Sequence, residues 1–492
     1  MTKQLLLVLA ACLLCVAVAS AQGVPTYNPE GQPQDMQYFK PIEDNQFVGD
    51  CIPFAHDGTV YLYWLLDEGH HSAMNHLGGH QWCLSTTTDL VHWKHYPIVI
   101  GIDEDWEKSI CTGSVVEHGG LFYAFYATRM SDGNGGKNES LSYAVSKDGI
   151  VFEKQKPNPF YSYAPGYSKK QFRDAKAIVD ENGVFHLFVT SRKENYVMED
   201  AQGCLVHLTS RDLKNWTVEG PLIAGVKNAP ECPDYFEWNG WYYLVFSQHG
   251  ETWYLKSRQP FGPWEYPSSQ ALVEKWVRVA KTFPFEGGRR IEAGWIPSRK
   301  DNKDNGKYLF GGNMVFRELV QLPDGNLGTR WPEELMPHPK RNLDLVPLPK
   351  ENCTVLKSGA VSVNAKGDAG SAVLSGLPRN CRISMTIEPE GNCYEYGIAL
   401  RSSVDNADGY RLKFSPNARK AFLADTSIEA VESLGDRVSL EIIMKDDFID
   451  VCINGARCMV NRLPEKNGNG LWLYAKSGDV LFKDIVVKPL DN

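Results

Sequence analysis

Apolar and aromatic residues along the chain gather into short runs separated by polar turns. Thr59–Asp67, Leu121–Arg129, Val184–Arg192 and Trp241–His249 are four such runs, and Arg289–Pro297 is a weaker fifth. Their starts lie 62, 63, 57 and 48 residues apart. Asp57-Gly58, Gly119-Gly120, Asn182-Gly183 and Asn239-Gly240 precede the first four, and Gly287-Gly288 the fifth. Such dipeptides close tight hairpins because Gly and Asn tolerate positive φ. A second element follows most runs: Ser85–Trp93 with Asp89, Ser146–Phe152 with Asp148, Ser210–Trp216 with Asp212, and Ser257–Trp264. A strand-turn-anchor unit repeated at this period implies a propeller or solenoid. Five units predict an all-β chain: a five-bladed β-propeller over residues 27–335.

Beyond Trp331 the texture changes. Residues 336–352 are Pro-rich and read as a linker. From 353 to 492, alternating runs such as Arg382–Ile387, Tyr410–Phe414, Val438–Met444 and Gly470–Ala475 predict a C-terminal β-sandwich. No segment carries a sustained helical period, and no catalytic cluster stands out in the sandwich. Cys452 and Cys458 flank Asn454-Gly455, where a hairpin would bring them together.

Residues 1–21 read as a signal peptide: Lys3, the apolar run Leu5–Val18, then Ala19-Ser20-Ala21. A lipoprotein-type anchor at Cys12 is the competing reading. Either predicts an exported, secreted or periplasmic chain. No later stretch is long and apolar enough to span a membrane. The net charge of −9 argues against a nucleic-acid partner. The 13 Trp and 22 Tyr suit strands and also offer flat faces to sugar rings.

Candidate chemistry follows from the repeat. Inner strands of a propeller converge on its axis, so carboxylates in matching phase should meet there. Asp50, Asp174 and Glu231 each lie 8 to 10 residues before an aromatic run. Pro230 and Pro233 hold Glu231 in a rigid segment. Converging carboxylates beside aromatics suit glycosidic cleavage, with one group attacking or stabilising the cationic centre and one protonated group serving the leaving oxygen. Arg173 would favour the ionised form of Asp174. Ser109 and Thr112 open the second unit at the same phase and read as substrate contacts. Trp82 and Trp106 read equally as stacking faces for a sugar or as core residues, with Gln81 beside Trp82 a further candidate. His70, His71, His76 and His80 cluster in one loop, but their spacing matches no metal pattern. The loop reads as structural or sugar-contacting, with no metal and no cofactor expected.

Arg173-Asp174 before a strand, and Glu231-Cys232-Pro233-Asp234, resemble the Arg-Asp-Pro and Glu-Cys-Pro motifs of glycoside hydrolase family 32. Asp89-Leu90-Val91-His92-Trp93 resembles the first-blade signature of that family. The resemblance spans roughly residues 40–490. It implies a five-bladed propeller plus β-sandwich and retaining hydrolysis of β-fructofuranosides in sucrose, oligosaccharides or polysaccharides. It also implies Asp50 as nucleophile, Asp174 as transition-state stabiliser and Glu231 as acid/base. Two departures stand out. Gly49-Asp50-Cys51-Ile52-Pro53 keeps only the Asp of the family's Asn-Asp-Pro-Asn-Gly, and Ala175 replaces a Pro. Two alternatives stay open at this point: an inverting arabinofuranosidase or xylosidase like those of family 43, and a carbohydrate-binding propeller without catalysis.

Overall fold

A computed structural model describes residues 23–268 and 272–490. The proposed signal segment and Cys12 lie outside the described residues. The chain forms a five-bladed β-propeller followed by a β-sandwich. The first blade is Gln46–His56, Thr59–Glu68, Gln81–Thr87 and Lys94–Ile100. The second is Ser109–His118, Leu121–Ser131, Lys137–Ser146 and Phe152–Lys154. The third is Arg173–Val179, Phe185–Arg192, Gly203–Ser210 and Thr217–Val226. Glu231–Trp238, Trp241–Gln248 and Glu251–Ser257 make the fourth, to which Glu265 adds an isolated bridge. Arg278–Phe285, Arg289–Arg299, Tyr308–Gln321 and Leu327–Arg330 make the fifth. Every pairing within a blade is antiparallel between neighbours in sequence.

The repeat has a physical basis. Each aromatic run is the second strand of its blade, entered by a hairpin. At Asp57-Gly58 and Asn239-Gly240 both turn residues have positive φ, matching the twist of the flanking strands. The second element ends in a side-chain-capped turn. Asp148 accepts the Ile150 and Val151 N–H groups, and Asp212 accepts those of Lys214 and Asn215. In blade 1, Asp89 does the same for Val91 and His92. The hydroxyl partner there is Thr87, two residues beyond the Ser85 that the repeat suggested. The anchor indoles of Trp93 and Trp216 donate to Leu90 O and Leu213 O.

Apolar faces fill the gaps between blades. Ile52, Leu84, Val115 and Ala124 join blades 1 and 2; Phe125, Ala177, Leu187 and Val206 join blades 2 and 3. Closure of the ring comes from two places. Val48 of blade 1 pairs with Gly312 of blade 5. The segment before blade 1 then exchanges two backbone bonds with Met314, through Tyr38 N and Phe39 O.

The sandwich is organised by two long strands, Val361–Ser375 and Gly470–Pro489, which pair with each other along most of their length. Its interior is mainly aliphatic, with Tyr396, Tyr410, Phe414 and Phe482 among the Val, Ile and Leu side chains. Cys452 and Cys458 face each other directly across a hairpin, and both are free thiols. No helix among the described residues is long and apolar enough to cross a membrane.

Candidate active site

All five inner strands break register at the same level. The skipped pairs are Gly49-Asp50, Cys111-Thr112, Asp174-Ala175, Cys232-Pro233 and Val279-Ala280. A β-bulge interrupts side-chain alternation and re-aims residues, here into the propeller axis. The backbone is strained at three of them: Asp174, Cys232 and Val279 have φ of 56°, 52° and 53°. Non-glycine residues avoid that region, a β-branched one most of all.

This ring gathers the three carboxylates found by phase. Asp50 is buried; its Oδ1 accepts the Trp295 indole N–H at 3.1 Å. Asp174 is buried too, with Oδ2 accepting Cys232 N–H at 3.2 Å. The Cys232 thiol lies 3.6 Å from Asp50 Oδ2 and 3.6 Å from Asp174 Oδ2. One S–H proton therefore sits between two carboxylates and can serve only one at a time. Burial pushes the thiol well above its ordinary range, keeping that proton on sulfur. Glu231 opens the fourth inner strand with its side chain half exposed, and Arg173 Nη2 donates to its Oε1 at 2.6 Å.

Charge around the ring is arranged in opposition. Burial raises the Asp174 carboxyl to about 7, although Arg173 Nε at 3.4 Å opposes the rise. Burial also raises Asp50, and Lys281 is the strongest opposing influence. Lys281 is buried on the fifth inner strand and reaches across to Thr112 Oγ1 at 3.2 Å and Gly113 O at 2.7 Å. Behind Arg173 lies Glu139, buried, 3.6 Å from Arg173 Nε and 2.8 Å from Arg129 Nη2. Burial would raise Glu139, but Arg173 and Arg129 outweigh it and hold this carboxyl below its usual range. Below the ring, Asp234 accepts Lys176 Nζ at 2.7 Å and the Thr282 N–H and O–H, which pins blade 4 to blades 3 and 5.

Of the further positions read from sequence, Thr112 and Arg173 bond groups of the ring, while Trp82, Gln81 and Ser109 are engaged within the protein. Trp82 is fully buried, packs against Tyr63 and Tyr126, and donates its indole N–H to Cys111 O. It is a core residue between blades 1 and 2, not a stacking face. Gln81 is buried with its amide bonded to Pro25 O and Ile102 N, tying down two loops. Ser109 is buried and accepts His80 N–H. Trp106 is half-buried on the loop joining blades 1 and 2, beside Glu107, which accepts the Asp103 N–H.

Sequence reasoning missed Lys281, Trp295, Arg129 and Glu139. Lys281 carried a usable signal: it lies 8 residues before the fifth run, in phase with the carboxylates.

The His loop folds against the site. Asp67, His71 and His80 bring candidate ligand atoms within 4.8 Å of one another. One nitrogen of each histidine is already engaged within the protein. Arg129 Nη1 lies 2.9 Å from His71 Nε2 and can only donate, so that nitrogen's lone pair is engaged. His80 Nε2 lies 3.1 Å from Asp67 Oδ1. Burial lowers both imidazoles to about 3, so they are neutral.

These features have counterparts in known proteins. Residues 52–323, more than half the chain, match the model of the "Glycosyl hydrolases family 32 N-terminal domain". The match begins just past Asp50, where the motif departs. Sucrose-6-phosphate hydrolase of Escherichia coli is 23% identical over 85% of this chain and 88% of its own length. Raffinose invertase of Escherichia coli is 25% identical over 84% and 87%. Among solved structures, fructan 1-exohydrolase IIa from Cichorium intybus superposes with TM-score 0.69 at 15% identity, covering 94% of this chain and 98% of that one. A Bombyx mori β-fructofuranosidase gives 0.66 at 17% identity, covering 94% and 95%. Five bulged inner strands, three of them carrying acids, a sandwich behind them, and a family match over residues 52–323, most of the propeller, together place this chain in glycosyl hydrolase family 32.

Proposed function

We propose that the enzyme hydrolyses terminal β-fructofuranosidic bonds with retention. In this reading Asp50 attacks the anomeric carbon while Glu231 gives its proton to the departing oxygen. The glycosidic bond breaks, and an ester to Asp50 forms. Water, deprotonated by Glu231, then cleaves that ester, and Asp50 leaves as the carboxylate. Asp174 faces the ring as charge develops, and Arg173 and Thr112 contact the sugar. Lys281 and the Trp295 N–H favour the ionised Asp50 that attack requires. The observation carrying this reading is the convergence of Asp50 and Asp174 on one thiol with Glu231 alongside, on bulges or strand starts of the inner strands of blades 1, 3 and 4.

The relatives support the substrate class, since their names are those of sucrose, raffinose and fructan hydrolases. Family membership removes the support for the inverting, family 43-like reading. Export through residues 1–21 belongs to the same proposal and fits a polymeric or oligomeric substrate met outside the cell. The test is a panel of sucrose, kestose, inulin, levan and an arabinofuranoside. Fructose released first as the β-anomer supports the proposal. Arabinose release, or sugar binding without release of any product, overturns it.

A further inference from the structure

A chain of charged groups runs from the His loop of blade 1 to the ring. It begins at His71, whose backbone N–H donates to Asp67 Oδ1 at 2.8 Å. His71 Nε2 accepts from Arg129 Nη1 at 2.9 Å, and Arg129 Nη1 also reaches Leu77 O at 3.1 Å. Arg129 and Glu139 are directly opposed across a hairpin of blade 2. Nε and Nη2 of Arg129 both bond Glu139 Oε1, at 2.9 and 2.8 Å. Glu139 Oε2 is thereby left to face Arg173 Nε at 3.6 Å. Arg173 divides its guanidinium among Glu139, Asp174 and Glu231. The same loop touches the other side of the ring. His80 stacks on Phe310 at 4.9 Å, and Phe310 packs on Trp295, whose indole holds Asp50.

We infer that Arg129 and His71 are positioning residues for the glycosidic reaction, acting through Glu139 on where Arg173 sits. The inference rests on the roles proposed above for Asp174 and Glu231. The physical argument is competition for one cation. Glu139 is buried and ionised, so it needs compensating charge. Arg129 supplies a large share of it through two bonds to one oxygen, beside Arg173 and the more distant Lys137. Without Arg129, more of the charge of Glu139 falls on Arg173, because Lys137 stands 3.5 Å away and half exposed, and this draws Arg173 away from Glu231 and Asp174. His71 fixes the outer edge of Arg129 as a neutral acceptor. A second cation there would repel, and an apolar residue would leave Nη1 underbonded.

The full chain is assayed with sucrose or short inulin as substrate, with Arg129→Gln, His71→Ala and His71→Gln compared for kcat, KM and melting temperature. The Gln amide oxygen reaches the place of His Nε2 and restores the acceptor. Arg129→Gln is expected to lower kcat by about 10- to 100-fold, the effect of a misplaced reacting group. KM changes much less. His71→Ala lowers kcat by about tenfold, and His71→Gln recovers most of that. Half-buried His71 tolerates either change in the fold. Turnover within about twofold of wild type in both Arg129→Gln and His71→Ala overturns the inference, as does a His71→Gln no better than His71→Ala. Glu231→Gln in the same assay separates the two levels. If it turns over normally, the site assignment itself falls. If it is inactive while His71→Ala is fully active, only the positioning role falls.

Discussion

Two regions of this molecule bury arginines against carboxylates, and they do opposite things with them. At the seam between propeller and sandwich, Arg317 is fully buried and bonds both oxygens of Asp450 and one of Glu274. Asp450 is completed by Tyr38 O–H at 2.8 Å and Trp331 N–H at 3.2 Å. The strands that carry this cluster run in register, with Arg317 opposite Glu292. At the axis the strands are bulged, the backbone is strained at three positions, and two carboxylates share one thiol proton. Glu231 is half open to solvent. The residue types are the same. Denser internal pairing around Arg317 and Asp450 makes the seam cement, while looser pairing on bulged strands leaves the axis able to engage a substrate. Unpaired atoms remain at the seam too: both oxygens of Glu292, Glu274 Oε2 and Arg317 Nε are buried without a protein partner, and burial pushes the Glu292 carboxyl well above its ordinary range.

The contrast breaks if substitutions at the two places give the same signature. Asp50→Asn and Glu231→Ala are expected to lower turnover by about 10²–10⁴-fold or more without lowering the melting temperature. Steady-state kinetics beside a thermal melt checks this, and near-normal turnover in either variant defeats the assignment. Arg317→Met should do the reverse. It strands Asp450 and Glu274 as buried, unpaired carboxylates, at a cost of about 3–5 kcal/mol. Urea unfolding should show that loss, with kcat per folded molecule unchanged. A fall in kcat without a fall in stability would mean the seam reaches the chemistry.

The propeller was legible because its repeat is local: hairpin dipeptides, aromatic runs and Asp-capped turns each announce themselves within a few residues. Asp50, Asp174 and Glu231 were legible because phase survives in sequence. The bulges were not, since a register slip depends on the partner strand as much as on the strand itself. Trp82 misled for a related reason. An aromatic in a strand faces the axis or the inter-blade core according to alternation, and the sequence does not number the faces. Arg129 and Glu139 lie opposite each other only once the hairpin through Asp132–Gly136 sets its register. His71 enters the site by the folding of a loop, which no spacing encodes.

A sharper test uses the sign of a pH effect. Folding raises the Asp174 carboxyl from 3.8 to about 7, with burial dominant. The folded chain then keeps a proton that the unfolded chain has already released. Asp174 therefore subtracts stability progressively as pH climbs through that window, and Asp67, also raised to about 7 by burial, does the same. Asp174→Asn removes this penalty. It should melt higher than wild type at pH 8, by at most a few kcal/mol at about 1.4 kcal/mol per unit, with the gain vanishing near pH 4. Turnover should be lost at both. A gain that persists at pH 4 would point to packing instead of charge.

The smallest expected effect discriminates most finely, because Lys281 has features of both regions. It is buried and doubly bonded, like Arg317, yet it stands on a bulged strand facing Asp50. If it only links blade 5 to blade 2, Lys281→Met costs stability and nothing else. If its charge serves Asp50, losing it raises that carboxyl further above its ordinary range, since burial is then opposed only by the bonds from Trp295 and Cys232. The nucleophile must be ionised to attack, so the acid limb of kcat/KM should move to higher pH, by about one unit. Lys281→Arg keeps the charge and should leave the limb close to its original place. An acid limb unmoved in Lys281→Met, with stability lowered, would assign Lys281 to the cement and leave the ring with one functional group fewer than its bulges present.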